Sequence, residues 1–398
     1  MSESGGISRV DEFALLPQTA KGTEMGALLR RSWHPVALSR DIAAGTAKPI
    51  RILSEDLTLY RGYSGQAYLI GGRCAHRMTS LHSGWVEGDE LRCMYHGWRY
   101  DGSGQCTEMP AEKDELTTTV RIPGYPVHEY SGLVFAYLGD GKTPAFDLPR
   151  KDVLERPDTD IMLFSREQTW PCSWFQHIEN SMDAVHVSFV HRKGNIGPFG
   201  EAVTAAIPDL TYEETDAGIR QTAVRAENNV RISDWTFPNN NHILLPMYDR
   251  ELPWCDLSVW MVPRDDENTV RIQLYSVPRV DDETDQRTRR HFETYGDYDP
   301  ADHHDELVFH GKYPEEPFLQ LTNAQDYVAS VCQGAIVDRA SERLGKSDAG
   351  VALVRRIFLR ELAAVRSGEP AKTWRKLDHA VDLPRQVPQT AEVRRARG

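Results

Sequence analysis

Short hydrophobic runs separated by turn residues dominate the chain from about Pro49 to Leu138. Gly, Asp and Ser interrupt these runs, for example at Ser64-Gly65 and at Asp101-Gly102-Ser103-Gly104. Several short strands at regular spacing indicate a small β-sandwich or barrel. The clearest predicted strands are Ile50–Ile52, Leu57–Tyr60, Ala67–Ile70, Leu91–Cys93, Gly97–Tyr100 and Leu133–Tyr137.

The rest of the chain mixes helical periodicity with strand patterns. Helices are predicted at Met25–Ser32, Phe175–Val190, Phe318–Cys332 and Asp348–Ala364, and strands at Gly218–Ala226, His242–Pro246 and Ser258–Pro263. Strands followed by helices indicate an α+β second domain. We therefore predict an N-terminal segment (1–45) that packs on the second domain, an all-β domain (46–150), an α+β domain (151–378) and a polar, extended tail (379–398). Residues 140–160, rich in Pro and Asp, form the predicted linker.

Composition narrows the class of protein. The chain has 398 residues, 40% of them hydrophobic, and a formal net charge of −13. That charge argues against nucleic acid or an anionic membrane as a partner. The N-terminus lacks the apolar core of a signal peptide, and no apolar run approaches the roughly 18 residues of a membrane helix, so we expect a cytoplasmic protein. Six cysteines in such a chain suggest metal binding before disulfides.

Two cysteines and two histidines form the first candidate metal site. Cys74-Ala75-His76 is followed by Cys93-Met94-Tyr95-His96, a C-x-H-x16-C-x2-H spacing. Two thiolates and two imidazoles can hold a [2Fe–2S] cluster, with both cysteines on one iron and both histidines on the other. A structural zinc site is the alternative, but zinc fingers usually pair Cys with Cys and His with His. The mixed pairs favour the cluster, and Cys106 is interpreted as a small buried hydrophobe.

A second candidate site lies in the predicted helix Phe175–Val190 and just after it. Asp183, His186 and His191 have the spacing D-x2-H-x4-H. The two histidines would be about 140° apart on a continuous helix, so a bend or a helix end must bring them together. Two His and a later carboxylate form the facial triad of non-haem Fe(II) oxygenases, which leaves coordination positions for O2. Two core histidines on an amphipathic helix are the alternative.

Taken together, these motifs resemble a known family. Cys74-Ala75-His76-Arg77 and Cys93-Met94-Tyr95-His96-Gly97-Trp98 resemble the Rieske domains of aromatic-ring-hydroxylating oxygenases, and the family also carries the N-x2-D-x2-H-x4-H element. Lys21–Gly26 and the segment from residue 321 to 348 resemble the phthalate dioxygenase group. The resemblance implies an all-β Rieske domain and a catalytic α+β domain whose antiparallel sheet is flanked by helices. It implies a [2Fe–2S] cluster and a mononuclear non-haem Fe(II) as cofactors.

The resemblance also assigns individual residues. It implies that His186 and His191 bind the iron and that Asp326, in the Gln-Asp pair, is the third ligand. Asp338 is the rival, but its neighbour Arg339 suggests a salt bridge instead. Asp183 would hydrogen-bond His186 on its own chain and His96 of a neighbouring subunit.

Two further residues of this region have less defined roles. The family places an Asn near the iron, which would be Asn180, although a helix-capping role is an equal alternative. His177 is interpreted as structural or pocket-lining, since it falls outside the motif.

Electron donors and oligomeric partners are implied by the same resemblance. The chain has no Gly-x-Gly-x-x-Gly before a helix and no plant-type Cys cluster, so a separate reductase with flavin and an iron–sulfur centre is expected. In the family the Rieske site of one subunit feeds the iron of its neighbour, within a homotrimer or a hexamer made of trimers.

The expected reaction is hydroxylation of a small aromatic substrate by O2, on an arene that bears a carboxylate. Arg225 and Arg231 are candidates to bind this carboxylate, with exposed strand arginines as the alternative. Oxidative O- or N-dealkylation is the nearest rival reaction. A Rieske electron carrier without a second iron, and a zinc-stabilised binding module, are more distant alternatives.

Overall fold

The structure is a computed structural model that describes residues 12–146, 148–194, 198, 200–204, 206–227, 229–247, 249–295, 321–368, 372 and 374. The predicted tail (379–398), the N-terminal residues Met1–Val10 and the first residues of the helix predicted at Phe318–Cys332 lie outside the described residues. The chain forms two compact units, of which one comprises residues 18–146 and 262–266 and the other comprises the remainder. No helix in the described part of the chain is both long and apolar enough to cross a membrane.

The unit formed by residues 18–146 and 262–266 contains three small sheets, of strand orders β1-β11-β10, β2-β3-β4-β9 and β5-β6-β7-β8. Each predicted strand is present, although Gly97–Tyr100 shortens to two residues because residues 93–98 form a closed loop. The strands are β1 (Trp33–Leu38), β2 (Ala47–Ile52), β3 (Glu55–Arg61), β4 (Ala67–Gly71), β5 (Trp85–Glu87), β6 (Glu90–Arg92), β7 (Arg99–Tyr100), β8 (Cys106–Glu108), β9 (Gly124–Tyr125), β10 (Val127–Tyr130) and β11 (Leu133–Tyr137).

The β-rich unit begins earlier in the chain than the boundary that we predicted at residue 45. The strand β1 pairs antiparallel with β11, from Trp33 opposite Tyr137 to Leu38 opposite Leu133. All six residues of β1 are buried. Because the ladder joins residues 33–38 to the last strand of the unit, this part of the N-terminal segment belongs to the β-rich unit. The preceding helix α1 spans Glu24–Leu29.

The other unit is built on a seven-stranded, mainly antiparallel sheet of order β12-β18-β17-β16-β15-β14-β13. This confirms the expected α+β class. The strands are β12 (Ile161–Trp170), β13 (Asp209–Glu214), β14 (Gly218–Ala226), β15 (Asn229–Thr236), β16 (Asn240–Leu245), β17 (Cys255–Pro263) and β18 (Thr269–Pro278). The helices are α2 (Asp152–Glu155), α3 (Trp174–Ser181), α4 (His186–Val190), α5 (Asp282–Tyr295), α6 (Leu321–Val331) and α7 (Ala349–Ser367).

The single helix predicted at Phe175–Val190 is wrong, because the chain breaks between α3 and α4. The Asp183 carboxylate accepts hydrogen bonds from the backbone N–H groups of Val185 and His186, at 2.9 and 3.2 Å. These contacts cap the start of a new helix. The Tyr212 hydroxyl donates to the Met182 carbonyl at 2.9 Å and holds the break. His191 follows α4 in a 3₁₀ turn, His191–Gly194.

A buried ion-pair cluster fixes α3 against the C-terminal part of the unit. The Glu179 carboxylate accepts from Arg339 at 3.0 and 2.7 Å and from Arg355 of α7 at 2.6 Å. All three side chains are buried. Loss of one partner of such a buried pair typically costs about 3–5 kcal/mol. The cluster therefore fixes the helix that leads into the second candidate site.

Candidate metal centres

Two similar loops carry the first constellation. In each loop the Cys N–H donates to the carbonyl five residues later, from Cys74 to Thr79 at 2.9 Å and from Cys93 to Trp98 at 2.8 Å. The residue four positions after each Cys has a positive φ, 62° for Met78 and 76° for Gly97. The backbone of the two loops therefore sets the direction of their side chains.

The four predicted cluster ligands divide into a buried and an exposed pair. The thiols of Cys74 and Cys93 are buried, at 1% and 2% exposure, and they lie close enough to interact. The rings of His76 and His96 are exposed and only 4.4 Å apart between centroids. Two buried sulfurs beneath two adjacent imidazoles suit a [2Fe–2S] cluster with one iron on each side.

Tyr100 is an additional residue of this centre that the sequence motif did not identify. Its hydroxyl lies 3.2 Å from Cys74 Sγ and accepts from the Ala75 N–H at 3.1 Å. Burial raises the pKa of Tyr100, so the hydroxyl keeps its proton and is in position to donate it to the Cys74 sulfur when that sulfur binds a cluster. Cys106 is buried in the same core, in agreement with its interpretation as a small hydrophobe.

The second constellation brings together His186, His191 and Asp326. One possible ligand atom from each lies within 4.8 Å of the others. Both histidine Nε2 atoms are 3.4 Å from Asp326 Oδ1. Asp326 Oδ1 is buried and has no hydrogen-bond partner in the described part of the chain, although a buried polar atom normally has one. An unpaired carboxylate oxygen facing two imidazoles is the donor set expected around Fe(II).

The charges of these three side chains are coupled. Burial alone would raise the pKa of Asp326, but His191, His186 and Arg271 lower it to about 2. Burial lowers the pKa of His191, although Asp326 opposes this shift. Burial also acts to lower the pKa of His186, but Asp326 and Asp183 outweigh it and the pKa rises. The carboxylate is therefore ionised and available as a ligand.

Two contacts orient the imidazoles from behind. His191 Nδ1 lies 3.0 Å from Gln325 Oε1, and both residues are buried. His186 Nδ1 is bonded to the Asp183 carbonyl oxygen. We expected His186 to hydrogen-bond the Asp183 carboxylate, but its Nδ1 bonds the Asp183 carbonyl instead. The carboxylate Oδ2 lies 3.9 Å from Nδ1, and the other carboxylate oxygen caps α4. With Nδ1 held in this way, each ring directs its Nε2 towards Asp326, where a bound metal would lie.

The remaining candidates of this region lie in different places. Asn180 and His177 line the cavity that His186, His191 and Asp326 face, and His177 Nε2 lies 3.3 Å from Cys172 Sγ. Asp338 is exposed and bonds Ser341, away from this cavity. The salt bridge expected between Asp338 and Arg339 is wrong, because Arg339 pairs with Glu179.

The cavity has a volume of about 150 Å³ and a largely apolar wall that includes Val187, Ile243 and Leu257. Arg225 and Arg231 also line it, and neither is exposed, so the alternative of exposed strand arginines is wrong. Burial lowers the pKa of Arg225 to about 10 and that of Arg231 to about 9. Both remain charged at neutral pH.

Within the part of the chain that the structure describes, these two arginines have no acidic partner. Both terminal nitrogens of Arg225 and the Nε of Arg231 are buried without a hydrogen-bond partner among the described residues. Arg225 Nε donates to the Ala206 carbonyl at 3.1 Å, and Arg231 Nη2 donates to the Leu244 carbonyl at 2.9 Å. The sequence identified both positions but not their burial.

Residues 32–128 match the Rieske [2Fe-2S] domain family, which decides against the zinc alternative. The chain is 31% identical over 388 residues to the 5,5'-dehydrodivanillate O-demethylase oxygenase subunit of a Sphingobium species, covering 93% of this chain and 84% of that protein. It is 28% identical over 396 residues to the phthalate 4,5-dioxygenase oxygenase subunit of Pseudomonas putida, covering 91% and 88%.

The fold is similar to that of solved oxygenase structures. The structure titled "The reduced complex between oxygenase and ferredoxin in carbazole 1,9a-dioxygenase" contains a chain that aligns with a TM-score of 0.60 and 19% identity. The alignment covers 93% of this chain and 95% of that chain. At this identity the match supports the fold, and the site must be argued from its own residues.

Proposed function

The chain belongs to the Rieske non-haem iron oxygenases, and we propose that the two constellations described above are its metal centres. The proposed cluster ligands are Cys74, His76, Cys93 and His96, and the proposed iron ligands are His186, His191 and Asp326. The main support for this proposal is that two histidines and a carboxylate, the side chains that bind Fe(II) in such oxygenases, come together from two distant segments of the chain. A Rieske electron carrier would not need that second set.

The protein is a terminal oxygenase that uses O2 and externally supplied electrons. When bound, the cluster supplies one electron at a time and the mononuclear iron activates O2. The protein itself provides the enclosed cavity, which limits the access of water, and holds the three ligands on one side. Asn180 lies in the last turn of α3 and lines the cavity, so we propose that it holds a water or a substrate group beside the iron.

The proposed substrate is a small arene that bears a carboxylate. The guanidinium groups of Arg225 and Arg231 lie in the cavity wall, and no acidic side chain among the described residues pairs with them. A buried charge left unpaired costs several kcal/mol, and an Arg–carboxylate pair satisfies it with two parallel hydrogen bonds. The apolar wall then receives the ring. The arginines thereby select an anionic aromatic substrate.

The favoured reaction is ring hydroxylation, and oxidative O- or N-demethylation is the second candidate. One relative is named an O-demethylase oxygenase subunit and another a phthalate 4,5-dioxygenase. Both reactions use the same iron and O2, but demethylation oxidises a methyl C–H bond beside the heteroatom instead of a ring carbon. Hydroxylation places both atoms of ¹⁸O2 or one of them in the ring product, whereas demethylation releases formaldehyde. Product analysis under ¹⁸O2 separates the two.

Asp183 is proposed to link the two centres between neighbouring subunits of a trimer. Its carboxylate is partly exposed, at 29% of the side chain, while its backbone bonds the iron-ligand candidate His186. The exposed His96 is the proposed contact on the neighbouring subunit. Asp183→Asn retains an oxygen to cap α4 but removes the charge.

We expect single-turnover electron transfer in Asp183→Asn to slow by about 10–100-fold, with both metal centres still filled. Stopped-flow reoxidation of the reduced cluster measures this rate. A normal rate in an iron-replete variant would contradict the bridge.

A separate redox protein is the proposed electron donor. A solved oxygenase of this fold is described in complex with a ferredoxin, and the exposed imidazoles of His76 and His96 offer an entry point for electrons. The finer proposal is a reductase that contains flavin and an iron–sulfur centre, with NAD(P)H as ultimate donor.

The proposed reaction is tested by supplying reduced donor and O2 to the holoenzyme with a panel of substituted benzoates and the matching benzamides. We expect product only from members of the charged series, and loss of that product in His186→Ala with an unchanged cluster spectrum. Comparable turnover of the benzamides would overturn the carboxylate proposal. Retained turnover in His186→Ala would overturn the iron site.

A further inference from the structure

The sheet floor of the cavity is polar at two separate places. Arg231 of β15 bonds the carbonyl of Leu244 on β16. Asn241 lies three residues from Leu244 along the same strand and also lines the cavity. At about 3.3 Å per residue, Asn241 is roughly 10 Å from that contact. Between the two polar places, Ile243 and Leu257, which pair across β16 and β17, form an apolar surface. On β15 the intervening Ser233 also lines the cavity, and its hydroxyl is already bonded to Gln221 Oε1.

Asn241 has an unused hydrogen-bonding group in this cavity. The residue is only 8% exposed, and its side-chain Oδ1 is buried with no hydrogen-bond partner among the residues that the structure describes. Its neighbours in sequence differ, because Asn240 Nδ2 donates to the Val259 carbonyl and Asn239 Nδ2 donates to the Met261 carbonyl. A buried amide oxygen without a partner destabilises the protein. The group is therefore in position to bind a ligand.

We propose that Asn241 determines substrate specificity by binding a polar group at the end of the substrate remote from its carboxylate. This rests on the proposed function for the position of the carboxylate at Arg225 and Arg231. A benzene ring with para substituents, with one hydrogen bond of about 2.9 Å at each end, spans a distance of the required order. The substrate class is thus an aromatic carboxylate with a para hydroxyl or a similar hydrogen-bonding group.

An amide side chain suits such a group because it both donates and accepts. A phenolic hydroxyl can donate to Asn241 Oδ1 and accept from Nδ2. An alkyl group of the same size leaves the amide unpaired. A site built to bond a polar substituent discriminates strongly against the analogue that lacks it.

The experiment measures binding of 4-hydroxybenzoate and 4-methylbenzoate, which differ by a hydroxyl and a methyl of similar size. Calorimetric titration of the anaerobic holoenzyme, without reductant, gives Kd for both probes in the wild type, in Asn241→Leu and in Arg231→Met. We expect the wild type to favour 4-hydroxybenzoate by about tenfold. Asn241→Leu should lose this preference, whereas Arg231→Met should weaken both probes and keep their ratio.

Two further measurements keep the inference separate from the carboxylate proposal. The pair 4-hydroxybenzamide and 4-methylbenzamide carries no charge, so it tests Asn241 even if no benzoate binds. Asn241→Ala replaces Asn241→Leu if the larger residue prevents folding, as judged from the cluster spectrum. Equal affinities for hydroxyl and methyl probes in the wild type would overturn the inference. So would a preference that survives removal of the Asn241 amide.

Discussion

In the cluster-binding loops backbone hydrogen bonds direct the ligands, whereas in the candidate iron site side chains from distant segments do so. The loops at Cys74 and Cys93 each close on themselves through the backbone within five residues. The iron site instead joins the segment from His186 to His191 with α6, which contributes Asp326. A locally closed loop depends little on the rest of the fold, but the iron site depends on the packing of α3, α4 and α6.

The two centres also differ in exposure, and this difference matches their proposed tasks. His76 and His96 are exposed, which suits electron transfer with another protein surface. His191 is 4% exposed, and the side chains of His186 and Asp326 are 15% and 17% exposed. An enclosed site strengthens electrostatic interactions and keeps reactive species from water. Exposure is therefore a property to test separately at each centre.

The largest expected effect comes from removing the distant carboxylate of the iron site. Asp326→Ala should abolish product formation and remove the mononuclear iron while leaving the cluster spectrum unchanged, because Asp326 lies 3.4 Å from both histidines. Iron and acid-labile sulfide analysis measures both centres in one sample.

The matched control for this change is Asp338→Ala, which removes an exposed carboxylate near the same helix. It should keep iron and activity. If Asp338→Ala lost the mononuclear iron and Asp326→Ala kept it, the assignment of the third ligand would be reversed.

The contrast between the centres explains what could be predicted from the sequence. Cys74, His76, Cys93 and His96 lie in short motifs whose spacing already specifies two loops, and the strands beside them were predicted. Tyr100 was missed as a cluster contact because a Tyr in a strand has no distinctive local pattern. Its role depends on the pairing of β7 with β6, which places it beside the Cys74 loop.

The second centre was only partly predictable. The spacing of His186 and His191 required a bend, but periodicity alone indicated one helix through Asp183. The break depends on capping by the Asp183 side chain and on the hydrogen bond from Tyr212, which lies on the strand β13. The contact of Gln325 with His191 joins residues 134 positions apart and has no sequence signal. Among the described residues, the terminal nitrogens of Arg225 and the Oδ1 of Asn241 have no partner, and this too follows only from the packing of the sheet.

The next largest effect should come from the residue behind His191. Gln325→Leu removes the oxygen that fixes the His191 ring, since Gln325 Oε1 lies 3.0 Å from Nδ1. Loss of such a supporting contact typically weakens metal binding by about 10–100-fold. Titration of iron-depleted protein with Co(II), followed by absorption, measures this affinity independently of turnover.

Gln333→Leu is the matched control, because Gln333 is exposed and bonds only the Ala329 carbonyl in the described part of the chain. We expect its Co(II) affinity to equal that of the wild type. Equal affinities in Gln325→Leu and Gln333→Leu would show that Gln325 does not position the ligand.

A smaller effect is expected at the cluster, where Tyr100 donates to Cys74 Sγ. Reduction adds negative charge to the cluster, so the hydrogen bond stabilises the reduced form more. Tyr100→Phe should lower the midpoint potential by roughly 40 mV, which corresponds to about 1 kcal/mol for one electron. Tyr60→Phe is the control, because the Tyr60 hydroxyl is bonded to the Asp89 carbonyl. A redox titration that gives equal potentials for both variants would refute the role of Tyr100.

The smallest effects separate the two loops from each other, because only one of two backbone substitutions should destabilise its loop. Gly97 has φ of 76°, and a Cβ there would lie 3.0 Å from Pro110 Cγ, so Gly97→Ala should destabilise its loop by about 1 kcal/mol. Met78 adopts the same left-handed backbone at φ of 62° with an exposed side chain, and Met78→Gly should relieve this strain. We expect cluster bleaching at a fixed elevated temperature to be about fivefold faster in Gly97→Ala and no faster in Met78→Gly. Equal acceleration in both variants would mean that side-chain contacts, rather than the backbone, hold the two loops.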